Sequence, residues 1–238
     1  KWNFLFSIDN TAQRGLSYFG NLGIKQAKRE IIDFIDDDCV APANWLSQID
    51  KSHQKYSSYV IGGIVKSLHK NGIGIFRDFQ RRFMYSKNRI NRSFYYFLLT
   101  SNLSCKRDVF KTYGAFAEGM FPGEDIDFGM RLEKAGNPIL LDRSIKVYHA
   151  EQKTVSQLYQ KSFSYGYCVH TLKKNYPHLP TKSVSTFFDL LVLPLIAVSS
   201  FLSKLFFLKR NEWNIFLLIL LDEIAHRHAL IKAYFESL

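Results

Sequence analysis

Residues Glu30–Cys39 read EIIDFIDDDC, an apolar run that stops in three adjacent aspartates. Ile31 to Ile35 has the β-branched, aromatic-rich character of a short buried strand, interrupted only by Asp33. In an extended chain alternate side chains share a face, so Asp36 and Asp38 project together and Asp37 opposes them. Two carboxylates that close repel, and one is driven toward protonation unless a cation lies between them. A hard divalent ion, Mg2+ or Mn2+, takes oxygen ligands of this kind and shares them with a diphosphate. In open α/β sheets, ligands sit beyond the carboxyl ends of strands. The competing reading is an Asp-rich turn capping the helix after Pro42, and the triplet alone leaves both open.

Working outward, the upstream residues predict a helix from about Leu16 to Arg29. Leu16, Gly20, Gly23 and Ala27 fall close to one face, and their small size lets that face approach a sheet. Lys25, Lys28 and Arg29 gather at its C-terminal end, where the helix dipole favours cations. Downstream, Pro42 suits the first turn of a helix over ANWLSQIDKSHQ, and SSYVIGGIVK reads as a strand. Strand, helix, strand, helix, strand predicts an α/β layer with a mostly parallel sheet flanked by helices. The opening KWNFLFSIDN alternates Trp2, Phe4, Phe6 and Ile8 as a strand does. A chain that starts inside a strand pattern predicts a missing N-terminal portion.

The 238 residues suffice for one α/β domain with an appendage. With 47% hydrophobic residues the chain can build a core, which excludes a disordered protein. The three cysteines, Cys39, Cys105 and Cys168, show no paired spacing, which argues against a zinc knuckle or a disulfide framework. The formal net charge of +11 points to a polyanionic partner (nucleic acid, anionic lipid or a phosphorylated substrate) or to a basic, soluble surface.

Residues 67–93 interleave Arg77, Arg81, Arg82, Lys87, Arg89 and Arg92 with aromatics. They predict an irregular basic segment: a loop over a site, a phosphate-contacting surface, or a solvated loop. Beyond about residue 183 the composition turns apolar. Phe187–Leu208 is long enough to cross a bilayer, though it carries Asp189, Pro194 and Lys204. Ile215–Leu221 is too short to span alone, and Lys209 and Arg210 between the two runs suit anionic headgroups. A membrane-embedded or interfacial helical hairpin is favoured over a buried helix pair.

A second acidic cluster changes the weight of the first. In GEDIDFGMRL, Glu124, Asp125 and Asp127 open a helix expected over Ile126–Ala135 and stopped by Gly136. One acid here would be a cap. Three acids in four residues exceed that need, and one can act as a general base toward an attacking hydroxyl.

With both clusters in view, the sequence resembles a family-two glycosyltransferase of the GT-A fold. The resemblance is carried by RGLSYFGNLGIKQAKREIIDFIDDDCVAPANWL, NLSCKRDVFKTYGAF, GEDIDFGMRLEKAG and VYHAE, in that order, over about residues 10–150. It implies that Asp36, Asp37 and Asp38 hold a nucleotide-sugar donor, partly through a divalent cation, with Asp38 the direct ligand. Arg14 and Asn21 fall at donor-side positions. Asp125 matches the catalytic base, and Glu124 and Asp127 match acceptor-side or supporting positions. Arg131 either steadies the acids, reaches a phosphate or forms a helix-surface ion pair. His149 lies near the metal or diphosphate in some relatives, and a structural histidine is the alternative. The family's first strand and nucleotide-base pocket are expected before Lys1, and its common Arg-Asn pair reads Gly20-Asn21 here.

The expected organisation is a GT-A domain over 1–180 and an apolar, membrane-associated helical region over 181–238. The expected activity is inverting, metal-dependent transfer of a hexose from a nucleotide-sugar to a saccharide or lipid-linked acceptor. That places the protein at the cytoplasmic face of a membrane, in envelope glycan synthesis. Two rivals are a non-catalytic binding module with a degenerate version of this fold, and a nucleic-acid binder. The motif order disfavours the second, so no nucleic-acid partner is expected.

Overall fold

The computed structural model describes residues 15–56, 60–91, 99–120, 122–137, 139–177 and 187–237. The chain divides into two compact units, residues 1–68 with 84–150 and residues 69–83 with 151–238. The boundary expected near residue 180 and the strand expected over the first ten residues lie outside the described residues.

The first unit is built on a mixed five-stranded sheet. Its strands are β1 (Ile31–Phe34), β2 (Cys39–Val40), β3 (Val60–Ser67), β4 (Leu103–Lys106) and β5 (Ile139–His149), in the order β1-β4-β3-β5-β2. Helices α1 (Gly15–Gln26), α2 (Trp45–Lys55), α4 (Asp108–Tyr113) and α5 (Glu124–Lys134) accompany it. The α/β class of the sequence reading holds, but the mostly parallel pairing does not hold among the described strands. Only β3 and β5 run parallel; β1–β4, β3–β4 and β2–β5 are antiparallel. Apolar periodicity identifies a strand but carries no direction, so the pairing sense is not legible from it.

The two-residue period of the strands sorts side chains onto two cores. Ile32, Val60, Cys105 and Ile139 join Val109, Phe110, Phe116, Phe128 and Leu132 on one face. Ile61, Val65, Ile145 and Val147 join Trp45 and Ile49 of α2 on the other. The β3–β5 register shifts between Gly63 and Ile64, where Asp142 and Lys146 are their respective partners. Asn102 mends the gap. Its amide donates to Ile64 O at 3.0 Å and to Ile145 O at 3.4 Å, and its oxygen accepts from Trp45 Nε1 at 2.9 Å. A Cβ on Gly63 would stand 2.1 Å from the Asn102 amide nitrogen, so only glycine fits beside it.

The expected elements hold closely. Strand β1 ends at Phe34, and α5 runs two residues earlier than expected at its start. Pro42 precedes α2 rather than opening it, its carbonyl accepting from Trp45 N at 2.9 Å. Residues 67–93 bring a correction: Gly72–Asn91 form a 20-residue helix, α3. Ile73, Phe76, Phe79 and Phe83 are buried at helical spacing.

The second unit contains α6 (Val155–Asn175), α7 (Phe187–Leu205) and α8 (Phe216–Glu236). A capping box between Thr154 and Gln157 starts α6. Ile73, Phe76 and Phe79 pack with Leu158, Ile215 and Ile219. Among the described residues one helix is long and apolar enough to cross a membrane. Its window, Phe188–Leu205, has a mean hydropathy of 1.8 and only 6% of it is buried.

Candidate active site

Strand β1 delivers the aspartates to the sheet end, but not in extended form. Cys39 N donates to Asp36 O at 3.1 Å, closing a tight turn over the triplet. The chain then joins the sheet again as β2, where Cys39 lies opposite His149. Ala150 N donates to Asp38 O at 2.9 Å, and Leu68 N donates to His149 O at 2.8 Å. These bonds pin the turn and the β5 end to one another. The expectation that alternation would bring Asp36 and Asp38 together has the right outcome through a different geometry.

A carboxylate oxygen of Asp36, one of Asp38, Sγ of Cys39 and a ring nitrogen of His149 all lie within 4.8 Å of one another. His149 Nε2 stands 3.4 Å from Asp38 Oδ1. Two carboxylates, an imidazole and a thiol form a donor set for a first-row divalent cation. Ligands about 2.0–2.3 Å from one ion are at most roughly 4.6 Å apart, close to the spacing of this group. Asp37 is exposed and stands outside this group. Arg14 lies outside the described residues.

The second cluster opens α5. Gly123 precedes it at φ 119°, a conformation that side chains resist, and this fixes how the helix enters. Glu124 is buried and accepts from Gly123 N at 3.1 Å. Asp125, partly buried, accepts from Ile126 N at 2.8 Å. Burial first, then the Glu124 charge, push the Asp125 pKa up to about 7, and the negative charge of Asp36 adds to the shift.

Three of the anticipated site residues have structural occupations. Asp127 binds Arg131 Nε at 2.9 Å. Arg131 in turn donates to the carbonyls of Tyr113 and, at 2.6 Å, Ala115, and stacks over Phe128. It clasps α5 to the 113–115 turn. Asn21 binds both backbone groups of Phe116 at 2.9 Å and also Glu118, stapling α1 to the same loop. Sequence reasoning missed Cys39, whose adjacency to the triplet was the available signal. It also missed a half-buried chain on the α2 face. There Ser104 Oγ donates to Asp33 at 2.6 Å, and His53 Nε2 lies 2.8 Å from Ser104 Oγ. Burial raises Asp33 to about 6. An open basic cavity of about 700 Å³, lined by Lys25, Gln26, Ala27, Lys28 and Arg107, shares no residue with either acidic cluster.

Three comparisons bear on this arrangement. Residues 4–114 match the model of a family described as "Glycosyl transferase family 2". "Glycosyltransferase AglE" of Haloferax volcanii is 24% identical over 160 residues, which are 65% of this chain and 50% of that protein. The chain thus spans about half the length of that curated relative. The solved structure titled as mannosyltransferase PcManGT from Pyrobaculum calidifontis, in complex with GDP-Man and Mn2+, superposes with a TM-score of 0.60 at 13% identity. The likeness covers 97% of this chain and 70% of that one, and shows a GT-A-like fold.

Proposed function

Because residues 4–114 match the model of glycosyl transferase family 2, we propose that the chain moves a hexose from a nucleoside diphosphate donor to an acceptor hydroxyl, with inversion at the anomeric carbon. One observation carries the reading: donor atoms of Asp36, Asp38 and His149 gather within one 4.8 Å group at the sheet end, and the Asp36 charge is among the influences that raise Asp125. Asp36, Asp38 and His149 would hold a divalent cation, Mg2+ or Mn2+. When bound, that cation supplies positive charge to offset the charge growing on the departing diphosphate. Asp125 takes the proton of the acceptor hydroxyl as its oxygen bonds to the anomeric carbon, opposite the bond that breaks to the diphosphate. A pKa near 7 suits a base that must hold and release a proton near neutrality. Glu124 sustains that pKa, and the Asp127–Arg131 clasp positions the helix start. The GDP-Man complex of the structural neighbour supports a nucleotide-sugar donor.

The C-terminal helices support a membrane-bound setting. Leu191, Leu195, Val198 and Leu202 form an exposed apolar stripe along α7, and Leu217, Leu220 and Ile224 form another on α8. Trp213 is exposed beside Lys209 and Arg210, an arrangement suited to a lipid headgroup layer. The acceptor class that follows is a lipid-linked or envelope saccharide, reached from the cytoplasmic face.

The test is a panel of nucleotide-sugars offered to the full chain in detergent with Mn2+, scored by slow donor hydrolysis and by transfer. Asp125→Asn should lower transfer by about 10²- to 10⁴-fold, the usual share of a general base, with donor binding retained in calorimetry. Full turnover by that variant would remove Asp125 from the role. Metal-independent donor binding would remove the strand-end cluster from it.

A further inference from the structure

We propose that Cys39 is a fourth protein ligand of the strand-end cation site and biases it against Mg2+, toward Mn2+, Co2+ and softer divalent ions. The inference rests on the donor-site reading above and adds a residue and a selectivity to it.

The sheet geometry carries it. Cys39 is paired with His149 across β2 and β5, and directly opposed residues of an antiparallel pair lean to the same side. Its Sγ therefore joins the ring nitrogen and the Asp36 and Asp38 oxygens within one 4.8 Å group. The other two cysteines are spent on packing. Cys105 is fully buried in the sheet core and Cys168 is buried in α6. Cys39 is reduced and only half-buried, as a ligand that meets ions from solvent must be.

The chemistry follows from donor softness. A purely carboxylate site takes Mg2+ readily, because Mg2+ prefers oxygen and sheds water reluctantly. Replacing one oxygen by thiolate sulfur and another by imidazole nitrogen favours ions later in the first-row series. On binding, the Sγ–H bond breaks, its proton leaves to solvent and the sulfur pair goes to the metal. A six-coordinate ion held by these four residues would still have room for diphosphate oxygens. An ion content with four ligands, such as Zn2+, would find the site closed and should block the donor.

The experiment uses the full chain in detergent and the metals alone, without donor. Co2+ added to the native protein should give a thiolate-to-cobalt charge-transfer band in the near ultraviolet. Cys39→Ser should abolish that band and weaken Co2+ and Cd2+ binding by about 10- to 100-fold, at least the effect of losing an outer partner of a ligand, while Mg2+ binding hardly changes. Cd2+ should also protect Cys39 of the native protein from alkylation, a reading that needs no variant. Cys39→Ala serves if the serine variant is unfolded by circular dichroism. Divalent binding that is unchanged in both variants, with no band and no protection, overturns the role of Cys39 and leaves the oxygen-and-imidazole site standing. No divalent binding at all in the native protein overturns both.

Discussion

The two units treat buried acid in opposite ways. In the helical unit each deeply buried carboxylate meets a cation. Lys204 Nζ lies 2.9 Å from Asp222 and 2.8 Å from Glu223, and Arg227 adds a contact to Glu223 at 2.9 Å. Glu151 sits between Arg77 and Arg81, and Glu212 is held by Arg82 at 2.6 Å. In the sheet unit, Asp33 and Asp125 form no ion pair among the described residues, and their pKa values rise to about 6 and about 7. Taking a carboxylate out of water without a partner is unfavourable, and the group answers by holding its proton. A fold that supplies cations so freely in one unit has not run out of them. The contrast is what the base role proposed for Asp125 requires, since a general base must hold and release its proton near neutrality. Within the sheet unit, Asp127 and Arg131 follow the structural pattern, which separates them from Asp125 two residues away.

Removing a cation from the helical unit tests the comparison hardest. Lys204→Met should leave Asp222 and Glu223 with only the His226 ring and the Arg227 guanidinium beside them, at a cost of about 3–5 kcal/mol. Chemical denaturation of the full chain checks this, and an unchanged midpoint would mean that the network contributes little. The reverse substitution in the sheet unit should have the opposite sign. Asp33 keeps its proton when folded up to about pH 6, while its unfolded value is 3.8. The folded state therefore binds the extra proton between those values, and stability falls as pH rises through that window. Asp33→Asn, whose oxygen can still accept from Ser104, should remove that slope. At pH 7 it should be more stable than the native chain by on the order of 2 kcal/mol, allowing for the solvent that reaches a partly exposed group. A less stable variant would mean that the charge on Asp33 is itself needed.

The parts of this picture legible in the sequence are those whose cause is local. The acid triplet ends its own strand, and α5 is bounded by its own acids and by Gly136. Asn21 and Arg131 were legible as polar residues near motifs but not as clasps. Asn21 reaches Phe116 across 95 residues of chain and Arg131 reaches back 16 residues to Ala115, and the loop geometry that receives both is a tertiary product. The Asp33, Ser104 and His53 chain draws on β1, β4 and α2, so it exists only once the antiparallel β1–β4 pairing is known. Cys39 as a ligand needs the β2–β5 register in the same way. Helix α3 was legible in principle, because Ile73, Phe76, Phe79 and Phe83 keep helical spacing. Two early glycines and a high density of arginine masked that period.

The smallest effect discriminates most finely, because it asks whether the negative charge of Glu124 is felt where the chemistry would occur. Glu124 is the largest charged contributor to the raised pKa of Asp125, after burial. Glu124→Gln removes the charge and keeps an oxygen that can accept from Gly123 N, as the glutamate does at 3.1 Å. Ionising Asp125 then meets less repulsion, so its pKa falls from about 7 toward its ordinary value. A base works in its ionised form, so the acidic limb of kcat/KM against pH should move to lower pH, with the plateau at high pH retained. A loss of rate at every pH with the limb unmoved would assign Glu124 to substrate binding. An unmoved limb with unchanged rate would mean that the proton is taken elsewhere, and the contrast between the units would then describe stability alone.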